Sequence, residues 1–139
     1  MDTGHWQNPL NLKIDVDVME GFVYTIRNRT NNMMYIGQKR FKRAVTRQPL
    51  KGRVNKRRST TESDWRTYTG SSNRLNQHIQ EHGVDNFEYT MIRTCRSKWE
   101  LNYEETRMII NHDAVPRTDY YNEYIGRVGA CPRSSRITP

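Results

Sequence analysis

Gly21-Phe22-Val23-Tyr24-Thr25-Ile26-Arg27-Asn28-Arg29-Thr30-Asn31-Asn32-Met33-Met34-Tyr35-Ile36-Gly37 is the stretch on which the fold turns. Phe22 to Ile26 and Met33 to Ile36 are short runs rich in β-branched and aromatic residues, the composition of strands. The Asn28 to Asn32 run between them is turn chemistry, because asparagine tolerates positive φ and bonds its own backbone. The two runs are expected to fold back as a hairpin that brings Tyr24 and Tyr35 close to facing each other. A glycine closes each outer end, Gly21 and Gly37.

Beyond the hairpin, Lys39 to Arg58 holds ten Lys/Arg and no acid, interrupted by Pro49 and Gly52. No helical or strand period persists, so residues 39–64 read as a long basic loop inserted in the domain. Ten like charges need a counter-charge. Lys42, Arg47, Lys51, Arg53, Lys56, Arg57 and Arg58 are therefore candidates for nucleic-acid phosphates, with a merely solvated loop as the alternative.

Leu75, Ile79 and His82 then fall on one face of a helix spanning 73–82, capped by Ser72 and ended by Gly83. Ser71 and Ser72 stand at its start, where backbone N–H groups also bind phosphate. His78 and His82 read as surface histidines. Phe87, Tyr89 and Met91 alternate as a third strand. Ser97-Lys98-Trp99-Glu100 is a capping box opening a helix over about 98 to 112. At ~100° per residue, Leu101, Met108 and Ile109 make one apolar stripe, with Glu105 along its middle and Glu104 at its edge. A carboxylate so placed must be paired, ligate a metal or face a cleft. A salt bridge to one of the many arginines remains the alternative to a metal.

The ends are plainer. Ile14, Val16 and Val18 alternate, so residues 1–20 are expected to form an edge strand or an extended arm, or else a disordered leader. Residues 126–139, with three Arg and no acid, read as a basic flexible tail. The 139 residues suit one domain with one modest core, here 21–125. Net charge +8, pI about 9.8 and a mean hydropathy of −1.01 favour a polyanionic partner. No apolar run approaches a membrane span, and the start lacks a signal-like apolar region, so a cytoplasmic location is expected. Cys95 and Cys131 are too few for a zinc site and read as free thiols.

Gly21-Phe22-Val23-Tyr24 followed by Tyr35-Ile36-Gly37 is similar to the two signatures that name the GIY-YIG endonucleases. Phe22-Val23 is longer than the single apolar residue of the first signature, and the second is complete. The Ser71-Ser72-x-x-Leu75 helix start, Gly83 to Phe87 and Tyr121-Asn122 also resemble the family, so the likeness covers about residues 21 to 122. The closest resemblance is to small free-standing phage enzymes of the Seg or homing type.

That resemblance implies a small α+β domain, a three-stranded antiparallel sheet flanked by helices. It implies hydrolysis of DNA phosphodiesters, with double-stranded DNA as the partner and the bacterial host cytoplasm as the location if a phage encodes the chain. Glu105 would hold one Mg²⁺ (or Mn²⁺), and Tyr24 or Tyr35 would deprotonate or position the attacking water. A phenol titrates near ~10, so a base role requires positive charge nearby to lower it. The family's Arg on a helix soon after the second signature has no fixed counterpart, and Lys39, Arg40 and Arg43 are the candidates. Asn122 and Ser71 are expected to serve as scaffold or as contacts to the phosphate backbone. Two other readings are a binding module that kept the fold but lost cleavage, and a basic RNA-binding or ribosome-associated protein.

Overall fold

The computed structural model describes residues 1–139. Eight elements carry the fold: β1 (Trp6–Gln7), β2 (Gly21–Asn28), β3 (Met34–Arg40), β4 (Lys42–Arg47), β5 (Arg57–Glu62), α1 (Asn73–His82), β6 (Phe87–Cys95) and α2 (Lys98–Asn111). The hairpin forms as β2 and β3, its turn set by Asn32 at φ 60° and by the Asn28 side chain, whose Oδ1 accepts from the Thr30 N–H. Its register pairs Tyr24 with Gly37 and Ile26 with Tyr35. The two tyrosines are therefore diagonal neighbours rather than opposite partners, with ring centroids 6.2 Å apart.

The main sheet has four strands in the order β1-β6-β2-β3, not three. β6 runs antiparallel to β2, as expected, and β1 adds a short parallel pairing on the far side of β6. The alternation at Ile14, Val16 and Val18 makes no strand. Both backbone groups of Leu12 bond the Asn8 side chain, and Asp15 O accepts from Val18 and Met19, so local bonds replace a ladder there. The strand of this arm lies earlier, where Trp6 is buried in the core.

The two sheet faces have separate cores. Phe22, Tyr24 and Ile26 pack with Trp6, Phe41, Trp65, Leu75 and Met91 on one face. Val23, Ile36 and Cys95 pack under Leu101 and Ile109 of α2 on the other. A β-bulge lets β6 serve both: its register against β2 slips between Val23 and Tyr24, leaving Ile92 as the extra residue. Met91 thus points to one core and Cys95 to the other.

Residues 39–58 are not a loop. β3 runs on to Arg40, and β4 pairs antiparallel with β5 as a separate two-stranded ribbon with its turn around 48–56. Phe41, fully buried, anchors the ribbon's base against Trp65, and Ser63 bonds back to Phe41 O and Arg40 O. The ribbon buries neither face, so its strands carry no apolar period that could betray them. At the other end, the chain returns along the outer edge of β3, where Met34 bridges Tyr120. The tail then reaches α2, where the Trp99 indole N–H donates to Gly129 O at 2.8 Å.

Candidate active site

A cleft of about 520 Å³ lies along the outer edge of β3, between α1 and α2. Tyr35, Ile36 and Gln38 of β3 form its floor. The α1 entry supplies Ser71, Ser72 and Arg74, α2 supplies Glu105, and the returning chain supplies Asn122 and Tyr124.

Tyr24 lies beneath this cleft, 1% exposed, and makes no hydrogen bond within the protein. Its ring crosses over Gly37. A Cβ at Gly37 would sit 2.4 Å from the Tyr24 hydroxyl and 2.9 Å from the Tyr35 ring, so only glycine fits at this register position. Gly70, at φ +87°, brings the α1 entry over the same phenols; its Cβ would meet Tyr35 at 3.0 Å and the Tyr24 hydroxyl at 3.4 Å. The Tyr35 hydroxyl lies 3.0 Å from Ser71 Oγ. Two strand tyrosines and a helix-entry serine thus meet at one point because two glycines leave the room.

Burial pushes the Tyr24 phenol well above its ordinary value, with Tyr35, Tyr68 and Glu105 adding to the rise. Tyr35 is raised for the same first reason, against a smaller lowering pull from Ser71. Both are neutral hydroxyls at physiological pH. No cation offsets the rise at either phenol, and Lys39, beside the neighbouring Tyr68, is already engaged. Lys39 Nζ is 2.9 Å from Asp64 and 4.1 Å from the centre of the Tyr68 ring.

Glu105 projects into the cleft from α2, and burial raises its carboxyl to about 7, with a smaller opposing pull from Gln38. It forms no ion pair. The arginine partners belong to Glu104, whose carboxylate lies 2.7 Å from Arg107 and 3.8 Å from Arg93 on the other flank of the helix. One residue of helical phase, ~100°, separates a paired carboxylate from an unpaired one.

Of the three basic residues expected to replace the family's arginine, none lines the cleft. Lys39 is held by Asp64, Arg40 pairs with Glu20 at 2.9 Å, and Arg43 stands exposed on the ribbon. The guanidinium that does line it is Arg74, on the first turn of α1, over the Tyr121 ring at 5.5 Å. A signal for it exists in the sequence: a cation in a helix's first turn opposes the macrodipole, and α1 has no acid there to compensate.

Ser72 caps α1, accepting from Leu75 N at 3.2 Å, while Ser71 remains exposed beside Tyr35. Of the two roles expected for Asn122, scaffold or phosphate contact, its bonds match the first. Its amide accepts from Ile36 N at 3.0 Å and donates to Ile36 O at 2.8 Å, satisfying the outer edge of β3. Bonded on both sides and 8% exposed, it holds the floor in place. His78 turns to Tyr121, its Nδ1 2.7 Å from that hydroxyl, and His82 is exposed. Among the basic block, Lys42 pairs with Asp17 at 3.0 Å, whereas Arg43, Arg47, Lys51, Arg53, Lys56, Arg57 and Arg58 have no ion-pair partner.

No helix is long and apolar enough to cross a membrane. A family model described as the GIY-YIG domain of the putative endonuclease segE matches residues 6–125. No curated protein and no solved structure matches the chain.

Proposed function

The chain belongs to the GIY-YIG endonuclease family, and on that footing we propose that it is a metal-dependent endonuclease that hydrolyses phosphodiester bonds of double-stranded DNA in the β3 cleft. The observation that carries this reading is the convergence, in one cleft, of the unpaired Glu105 of α2 with Tyr35 of β3 and with Ser71 and Arg74 of the α1 entry.

Glu105 fits a metal ligand. It is a half-buried carboxyl raised to about 7 by burial, with no cation partner to offset that rise. The chain offers no cluster of three or more His, Cys, Asp or Glu side chains, so the donor set is unlike that of zinc. A single carboxylate suits Mg²⁺ or Mn²⁺, which keep several waters. Bound there, the cation would supply charge neutralisation at the phosphoryl and leaving oxygens.

The chain's own groups do the rest. Arg74 presents a planar fork that grips two oxygens of one phosphate, which Lys would not do. The N–H groups at the start of α1 face the same phosphate. Tyr35, polarised by Ser71, and Tyr24 beneath it act as neutral hydroxyls that orient the attacking water. Arg74 in the cleft supports cleavage over the alternative of a binding module that kept the fold but lost cleavage.

The test is incubation of supercoiled plasmid with the full chain in Mg²⁺, in EDTA, and with Glu105→Gln. Nicked or linear product only in the first is expected. Intact plasmid with Mg²⁺ and with Mn²⁺, or cutting by Glu105→Gln at the parent rate, overturns the proposal.

A further inference from the structure

Antiparallel pairing sorts the β4–β5 ribbon into two unlike faces. Opposed residues share a face, so Arg43, Val45 and Arg47 of β4 lie beside Thr61, Ser59 and Arg57 of β5. The other face carries Lys42, Glu62 and Arg58; Lys42 is engaged by Asp17 and Glu62 by Trp65 and Arg66, so Arg58 is its one unpaired cation. The first face therefore holds three guanidiniums, no acid and only small side chains between them.

Arg47 stands directly opposite Arg57. Like charges across a strand pair destabilise it unless an anion lies between or over them. Neither has a carboxylate partner, and their Nε atoms reach only Ser59 Oγ (2.8 Å) and Gln48 O (3.2 Å), leaving the guanidinium ends outward. The ribbon makes its ladder with itself and is rooted only at its base, by Phe41 and Trp65. At its root the ribbon is followed by Asp64, which pairs with Lys39, and Lys39 lies over the Tyr68 ring beside Tyr24.

Six-residue strands span ~20 Å, and a two-stranded ribbon has the width of the B-DNA major groove, about 12 Å. We propose that the β4–β5 ribbon lies in the major groove of the DNA duplex beside the cleavage site, with Arg43, Arg47 and Arg57 facing the base edges. This rests on the endonuclease reading only for the position of the cleft. The arginine forks suit guanine O6 and N7, Val45 offers an apolar contact for a thymine methyl, and Lys51 and Arg53 at the tip meet phosphates. A-form RNA is excluded as the occupant, since its major groove is too deep and narrow to admit the ribbon.

Binding, not cleavage, tests this, so the result stands whether or not the chain cuts. The Glu105→Gln chain in EDTA is titrated onto duplex DNA carrying methyl green in the major groove or a Hoechst dye in the minor groove. Release of methyl green with retention of the Hoechst dye is expected. The variant Arg43→Gln, Arg47→Gln, Arg57→Gln, with its fold verified by circular dichroism, is expected to bind at least tenfold more weakly and to leave methyl green in place. Lys51→Gln, Arg53→Gln is expected to weaken binding while keeping the release pattern. Release of the minor-groove dye, methyl green retained at saturation by the parent, or equal affinity for duplex RNA of the same sequence overturns the proposal.

Discussion

At the scale of single residues, the two neighbouring glutamates of α2 have opposite fates. Glu105 binds its proton more tightly in the folded chain, at about 7 against an ordinary value of 4.5. Between those values the folded state carries more protons than the unfolded, so this residue's contribution to stability falls as pH rises through the window. In EDTA, Glu105→Gln is therefore expected to melt above the parent at pH 8 by ~3–5 °C, the scale of about 1 kcal/mol in a chain of this size, with a smaller gain at pH 5. Glu104→Gln loses the contacts to Arg93 and Arg107 and is expected to melt lower instead. Equal thermograms for the two variants would mean that the helical phase assigned to them is wrong. The tyrosines give a second expectation. Tyr24→Phe removes a hydroxyl with no protein partner, and Tyr35→Phe removes one bond to Ser71, worth ~1 kcal/mol at most. Both variants should fold normally yet nick plasmid roughly 10²-fold or more slowly, the scale of a positioned acid–base group. Full activity in the double variant would leave the pair as scaffold.

At the scale of elements, β3 matters most, because it is an outer strand that carries the floor of the cleft. An exposed strand edge is a row of unpaired backbone groups, and here the Tyr120–Asn122 segment covers it. Asn122→Ala frees a buried N–H and C=O of Ile36 together and is expected to lower stability by ~1–3 kcal/mol in urea denaturation. Affinity for duplex DNA, measured under conditions where the variant stays folded, should match the parent within about twofold. A larger loss would return Asn122 to the interface that its sequence motif had implied.

Over the whole molecule, charge is segregated. Seven cations of the ribbon and its turn lack acidic partners, and of the ribbon's cations only Lys42 has one, Asp17. Duplex binding should therefore weaken steeply with salt, with a log–log slope near −0.9 per phosphate contact. Neutralising Lys56, Arg57 and Arg58 together is expected to flatten that slope by roughly 2–3. An unchanged slope would remove these three side chains from the interface.

Local chemistry made much of this protein legible from its sequence. The cap at Ser72, the stop at Gly83 and the box at Ser97–Glu100 bound α1 at 73–82 and α2 at 98–111, one residue short of the expected end. Such signals act within a turn or two of the chain and need no partner. The stripe through Leu101, Met108 and Ile109 likewise placed Glu105, because a helix fixes angle by residue count. What depends on distant partners was not legible. The ribbon has no buried face and so no period, and its pairing became visible only with both strands in place. Trp6 forms a strand because β6 offers it an edge. Tertiary structure alone brought Arg74 to the cleft, put Asn122 on the β3 backbone, and raised both phenols above their ordinary pKa by burial. Each of those outcomes is set by which surfaces are dry and which groups meet across the sheet, and a linear chain does not encode that in any one stretch.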